Sequence, residues 1–238
     1  MIAVALDSGG PPAVRDFIRP PKLLVPMLQF MGWNRSLIER AATPAYPCLI
    51  DERHVLGELL GVINVPTAVW IDEQGVIVRP AEVPGATDSF RSMNLATREV
   101  PRERAEDSKL RRRIYVEALR DWIEHGAASQ HVLPPDEVRR RTRGLDATAS
   151  LAAAQFRLGV WLVRQGEREA GQRALAAAVE LQPESWRFLR QKIVLSDPAL
   201  TGQLAATPEF WQAVHALGDR FYYPPTEMAG MPEPLPPR

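Results

Sequence analysis

The sequence predicts an α/β region followed by an α-helical region, and three observations favour this division. Short apolar runs rich in branched residues, typical of buried strands, alternate with helical patterns within residues 1–125. Residues 126–146 are predicted to be a linker with one short helix, and residues 147–224 carry alanine and leucine at helical spacing. Residues 225–238 are rich in proline and are predicted to be a disordered tail.

Composition excludes several classes of function. The 238 residues carry 29 basic and 29 acidic side chains, and a net charge of zero argues against a nucleic-acid partner. No apolar run reaches the roughly 18 residues that a membrane span needs. The chain has one cysteine, which cannot form an intramolecular disulfide. A cytoplasmic location fits these observations. No cofactor is predicted, and features described below lead us to expect a protein or peptide partner.

The first elements are a strand over residues 2–6 and a helix over Ala13–Ile18, separated by a turn at Ser8–Pro12. Residues 19–38 do not fit this pattern, because Leu23–Trp33 is almost wholly apolar and contains a proline. This segment has two interpretations. It is a buried, broken helix that covers exposed core, or it is an element that binds a partner, since contiguous exposed apolar surface usually has a use.

The chain is organised around residues 46–80. A strand at Tyr46–Ile50 precedes a short helix over residues 55–60, and Thr67–Ile71 is predicted to be a central strand because it has no polar face. Asp-Glu-Gln-Gly at residues 72–75 predicts a hairpin turn into a returning strand, Val76–Val78.

Pro66 directly precedes the predicted central strand, where a proline cannot donate to the ladder of hydrogen bonds. It therefore marks a special turn, and the Val65–Pro66 bond is predicted to be cis.

This order of strand, helix, Val-Pro-Thr, strand, Asp-x-x-Gly turn and strand resembles the second half of a thioredoxin-like redoxin domain. The family includes bacterial thiol–disulfide oxidoreductases and alkyl hydroperoxide reductase-like proteins. The resemblance implies an α/β, incomplete thioredoxin-like fold over residues 1–125. It also implies that the first core strand and the Cys-x-x-Cys helix would precede Met1.

The resemblance implies one substrate-binding site and no catalytic residue. In the family, the residue before the cis-proline offers its backbone to an extended substrate, so Val65 and Pro66 are the implied binding residues. The only thiol, Cys48, lies in a predicted strand rather than at a helix N-terminus, and is interpreted as inert. Two functions follow. The chain is a redoxin-family protein inactive in dithiol exchange, or it is a non-catalytic interaction module that uses the helical repeat and the proline groove.

A long loop is predicted over residues 81–112, with a turn of helix near residues 88–91. A closing helix is predicted from Lys109 to His125, followed by a short helix over residues 135–143.

Two helices at residues 149–165 and 167–181 resemble a tetratricopeptide repeat, in which Gly159 and Gly171 let the helices approach closely. One repeat cannot bury its own apolar face, so further helices must cover it. These are predicted near residues 186–194 and 208–221.

The histidines suggest no metal site, because none has a second ligand at chelating spacing. His54 and Glu58, four residues apart, are predicted to be a surface pair. The resemblance implies that the first core strand lies in the sheet between the strands at residues 2–6 and 67–71. If these two strands lack a partner, the chain is expected to self-associate.

Overall fold

The strands that the structure describes form two small sheets rather than one. The computed structural model describes residues 1–18, 46–94, 97, 99–142, 144, 146–197 and 207–237. The described strands are β1 (Ala3–Ala5), β2 (Cys48–Ile50), β3 (Ala68–Ile71) and β4 (Ile77–Glu82). The described α-helices are α1 (Pro11–Ile18), α2 (Val55–Leu59), α3 (Arg102–His125), α4 (Pro135–Arg141), α5 (Ala147–Arg164), α6 (Arg168–Leu181), α7 (Trp186–Ser196) and α8 (Pro208–Ala216). The mixed α/β class is confirmed; the predicted insertion at residues 19–38 lies outside the described residues.

The two sheets differ in direction. β1 and β2 pair in parallel, with Ala3 opposite Cys48. β3 and β4 pair antiparallel, with Trp70 opposite Arg79 and a register irregularity on either side of this pair. Within the described parts of the chain, β1 and β3 share no ladder.

The prediction that β3 has no solvated face is wrong, because the Ile71 side chain is 46% exposed. An apolar strand sequence indicates that the strand is at least partly buried. It does not indicate whether the strand is central or at an edge, because that depends on residues far away in the chain.

Helix α2 begins where Asp51 ends the second strand. The Asp51 carboxylate accepts the backbone N–H groups of Val55, Leu56 and Gly57 at 2.9, 2.8 and 3.1 Å. These donors have no partner inside a helix, so the carboxylate both satisfies them and complements the helix dipole. A single acidic residue therefore fixes the start of the helix.

The turn between β3 and β4 forms as its sequence predicts. Asp72 accepts the N–H groups of Gln74 and Val76 at 3.0 and 2.8 Å, and Gly75 adopts a positive φ of 79°. An aspartate side chain and a glycine that tolerates the left-handed region are the usual means of closing such a turn.

Helix α3 is longer than predicted. It begins at Arg102 rather than Lys109, so the preceding loop is shorter than residues 81–112. Its first turns lack apolar periodicity. Ion pairs four residues apart support them instead, including Arg102–Glu106 at 2.7 Å and Arg111–Asp107 at 2.9 Å. The helical turn predicted near residues 88–91 is a 3₁₀ segment at Asp88–Ser92.

Helices α5 and α6 pack closely through two glycines. A β-carbon at Gly159 would lie 2.6 Å from a Leu175 side-chain carbon and 2.9 Å from the Gly171 carbonyl oxygen. The close approach predicted at these glycines is confirmed. Their core contains buried side chains from α5, α6 and α7: Ala152, Phe156, Val160, Leu175, Ala178 and Phe188.

The proline-rich tail, for which the composition predicts disorder, lies against the α/β part in the structure. The backbone carbonyls of Glu227, Pro232, Glu233 and Pro236 accept hydrogen bonds from arginine side chains. Proline removes backbone donors but leaves the carbonyl acceptors free. A surface that supplies donors can therefore hold such a segment without secondary structure.

No helix in the described ranges is long and apolar enough to cross a membrane.

Candidate functional site

Residues 64–67 form the loop that carries the predicted binding site. The Val65–Pro66 peptide bond is cis, which confirms the prediction. Thr67 Oγ1 donates to the Asn64 carbonyl at 2.5 Å, and the Asn64 side-chain oxygen accepts the Val65 N–H at 2.9 Å. Pro66 is exposed while Val65 is half-buried. The loop therefore presents a proline ring at the surface beside a partly covered main chain.

Two tyrosines from the C-terminal region hold this loop. The Tyr223 hydroxyl donates to the Val65 carbonyl at 3.2 Å, and the Asn64 amide donates to the Tyr222 carbonyl at 3.0 Å. The Asp88 carboxylate accepts the backbone N–H groups of both tyrosines at 2.8 Å. Burial, followed by the neighbouring Tyr222, raises the pKa of Tyr223 to about 12, so its hydroxyl keeps its proton and acts as a donor.

Both polar main-chain groups of Val65 thus have side-chain partners. The N–H bonds to Asn64 and the carbonyl bonds to Tyr223. Side chains can rotate away, whereas a neighbouring strand cannot. An extended peptide could replace both contacts, but Tyr223 and Asn64 must first release the loop.

Cys48 occupies β2 and is partly buried. Its Sγ–H faces the Tyr46 carbonyl at 3.7 Å. The nearest helix start along the chain belongs to α2, and Asp51 rather than the thiol contacts its free N–H groups. The helix-terminus arrangement that activates redox cysteines is therefore not made by Cys48.

His54 is buried, and the surface pair predicted with Glu58 does not form. The His54 side chain is 1% exposed, its Nε2 lies 3.3 Å from Ser8 Oγ, and its ring meets Phe156 edge-on at 4.9 Å. Glu58 instead pairs with Arg157 of α5. Residue 54 has a positive φ of 54° and precedes the helix, so helical spacing does not describe it.

Burial, with Arg187 and Arg164 nearby, lowers the pKa of His54 to about 3. Its ring is therefore neutral near pH 7. The Ser8–His54 pair resembles part of a nucleophile–base arrangement, but both side chains are buried and the Nδ1 atom of His54 has no hydrogen-bond partner. This geometry stabilises the contact between the α/β part and α5 rather than offering a reactive hydroxyl.

Arg187 of α7 joins the helical unit to the loop before the proline. Its backbone N–H donates to Ile63 at 2.9 Å, and its guanidinium donates to the carbonyls of Val62 and His54 at 3.1 and 3.4 Å. The guanidinium also lies 4.5 Å from the centre of the Phe188 ring. Burial lowers its pKa to about 10, so the side chain remains charged near neutrality.

A second buried polar network, which sequence reasoning missed, begins at Trp70. Its indole N–H donates to the Tyr115 hydroxyl at 2.8 Å, and that hydroxyl donates to Glu82 at 3.0 Å. Arg79 closes the network through two contacts of 2.8 Å with the Glu82 carboxylate. The sequence contains a sign of this network: Arg79 and Glu82, three residues apart and of opposite charge, lie within an otherwise apolar strand.

No group of side chains suited to hold a metal ion occurs among the described residues. Comparison with family models, with curated proteins and with solved structures finds no match to this chain.

Proposed function

We propose that this chain is a redoxin-like protein that binds extended protein segments at the Val65–Pro66 loop and does not itself catalyse dithiol exchange. In this proposal residues 1–125 have an incomplete thioredoxin-like fold, and the helices from residue 147 form a tetratricopeptide-like unit. The ligand is a protein segment without regular structure, which pairs its main chain with that of Val65.

The observation that carries the proposal is the hydrogen bonding of Val65. Its carbonyl accepts from the Tyr223 hydroxyl and its N–H donates to the Asn64 side chain. A main chain that is satisfied only by side chains can pair with an incoming strand at little cost, because each lost hydrogen bond is replaced. Exposed Pro66 supplies an apolar contact beside this pair.

The absence of dithiol exchange rests on the thiol content. The mechanism needs an attacking and a resolving thiol, and the sequence contains Cys48 alone. In an insulin reduction assay with dithiothreitol, we expect the chain to match the dithiothreitol blank. Turnover above the blank that disappears in Cys48→Ser would make Cys48 a catalytic residue.

The binding test uses Tyr223→Phe, which removes the hydroxyl that competes for the Val65 carbonyl. The probe is reduced, carboxymethylated α-lactalbumin, a permanently unfolded protein, and binding is measured by fluorescence anisotropy. Because one hydrogen bond contributes about 0.5–1.5 kcal/mol, we expect binding to tighten by about two- to tenfold. Tyr46→Phe, at an exposed tyrosine just before β2, is the matched control. Unchanged or weaker binding by Tyr223→Phe would contradict a role for the Val65 carbonyl.

A second candidate function, a protein-interaction module that uses the helical unit, is favoured by one face of α5. Leu151, Ala154, Leu158 and Trp161 are all exposed and recur at intervals of three, four and three residues. This spacing gives the apolar seam with which a helix packs against another helix. If Leu158→Lys abolishes binding of the unfolded probe while Tyr223→Phe leaves it unchanged, the helical face rather than the proline loop binds the partner.

A further inference from the structure

The C-terminal tail, residues 224–237, is held by arginine side chains through its main chain. Arg79 donates to the Glu227 carbonyl at 3.0 Å, and Arg104 donates to the Pro236 carbonyl at 2.8 Å. Arg111 donates to the carbonyls of Pro232 and Glu233 at 3.0 and 2.6 Å. These four contacts are made to backbone carbonyls. One tail side chain also takes part, because the Glu227 carboxylate pairs with Arg141 at 2.8 Å.

Arg79 and Arg111 are buried, and a neighbouring carboxylate balances the positive charge of each. Arg79 pairs with Glu82 at 2.8 Å and Arg111 pairs with Asp107 at 2.9 Å. One edge of each guanidinium therefore faces a carboxylate, and another N–H points at the tail. Such a site suits a neutral acceptor, because an incoming anion would also meet the two carboxylates.

Proline-rich chains match this arrangement. Six of the fourteen residues from 224 to 237 are proline. These prolines lack N–H groups and offer only carbonyl acceptors, whereas the other eight residues keep both backbone groups. Arginine supplies donors and no acceptor. Tail carbonyls that accept and arginine side chains that donate are thus matched, which explains why the tail docks without joining a sheet.

Apolar anchors complete the contact. Met228 and Met231 pack against the cluster of Trp70, Tyr115 and Ala118. Aromatic side chains beside hydrogen-bond donors are a common means of binding proline-rich segments. A cleft that includes Gly85 and Leu235 remains beside the tail.

We propose that this surface, formed by Arg79, Arg104, Arg111 and the Trp70 cluster, is a recognition site for proline-rich protein segments, and that the tail fills it within the same chain. A proline-rich segment of another polypeptide binds there when the tail is released. This inference concerns a surface other than the Val65 main chain and does not require the proposed function to hold.

The test begins with the full chain, so that the protein folds with its tail in place. A protease recognition sequence is inserted after exposed Pro224, the purified protein is cut, and the released tail is removed by dialysis. A fluorescein-labelled peptide of residues 225–238 is then titrated into cut and uncut protein. We expect one peptide to bind per cut chain, with affinity at least tenfold weaker for uncut protein, because the tethered tail competes at high effective concentration.

Arginine variants identify the surface. We expect Arg111→Gln to weaken peptide binding to the cut chain at least tenfold, whereas Arg112→Gln, at an exposed neighbour on the same helix, leaves it unchanged. If Arg111→Gln does not fold, Arg104→Gln tests the same claim through the single contact to Pro236. Equal affinities for the Arg111 and Arg112 variants, or for the Arg104 and Arg112 variants, would overturn the assignment.

Two further outcomes also decide the proposal. A peptide in which every proline is replaced by alanine should bind more weakly, and equal binding would contradict recognition of proline-rich chains. Inorganic phosphate should not displace the peptide at constant ionic strength. Displacement would mean that the arginines form an anion site, and failure of the cut chain to bind any peptide would end the proposal.

Discussion

The helical unit α5–α7 has a core formed by its own side chains, whereas the strands leave some of their apolar side chains exposed even though Trp70 is buried. In the helical unit, Ala152 and Leu175 are fully buried and Phe188 is 1% exposed. In the strands, Leu49 is 53% exposed and Ile71 is 46% exposed. A helix satisfies its backbone within one segment, whereas a strand needs neighbours on both sides. Short-range sequence can therefore complete a helical core, but a sheet depends on distant partners.

The largest expected effect on the free energy of unfolding distinguishes the helical core from the exposed strand residues. Phe156→Ala removes a side chain that is 2% exposed and that stacks on Phe188 at 4.7 Å. It should lower the free energy of unfolding by about 3–5 kcal/mol. Leu49→Ala should change it by about 0.5 kcal/mol or less, because half of that side chain already meets solvent. Urea denaturation followed by circular dichroism measures both, and similar losses would show that β2 has a core of its own.

The next effect tests the close approach of α5 and α6. Gly159→Ala would place a methyl group against Leu175 and the Gly171 carbonyl, so it should cost about 1–3 kcal/mol through overpacking. Gly144→Ala is the matched control, since no atom lies within 4 Å of the added carbon. If Gly159→Ala is as stable as the control, the two helices can separate without loss of packing.

The junction between the two regions should respond to pH through His54. The pKa of His54 falls from 6.5 to about 3 on burial, so between these values the unfolded chain binds a proton that the native chain does not. The free energy of unfolding should therefore fall as pH drops below 6.5, by up to about 2 kcal/mol from this group at pH 5.

The control for this pH dependence is His54→Asn, because asparagine tolerates the left-handed backbone and does not titrate. Thermal melts at pH 7 and pH 5 should show a smaller difference for the variant than for the parent chain. An identical difference in the two proteins would mean that the pKa of His54 is the same in the native and the unfolded chain.

The smallest effect on stability concerns the exposed strand residues. Leu49→Lys and Ile71→Lys should each change the free energy of unfolding by less than about 1 kcal/mol. We expect them to reduce self-association of the chain, because a charged side chain on a strand disfavours pairing with another chain. Light scattering coupled to size-exclusion chromatography measures this. A parent chain that is monomeric at all concentrations would contradict the expected association.

The predictions from sequence succeed where the signal is local. The Asp72–Gly75 turn, the cis bond at Val65–Pro66 and the approach of Gly159 to Gly171 all follow from a few neighbouring residues. They fail where a contact joins distant parts of the chain. His54 is assigned to a surface pair because helical spacing cannot reveal Ser8, 46 residues earlier, as its partner.

The candidate site divides in the same way. Sequence alone locates the unusual turn at Val65 and Pro66, since a proline before an apolar strand cannot donate to the ladder, and only the family resemblance suggests a binding role there. Only the tertiary structure reveals that the hydroxyl of Tyr223, 158 residues later, donates a hydrogen bond to the Val65 carbonyl. The tail likewise has no helical or strand pattern, so composition predicts disorder. Its position depends on whether folded elements supply hydrogen-bond donors for its carbonyls, and the arginines on β4 and α3 do so only once those elements have packed.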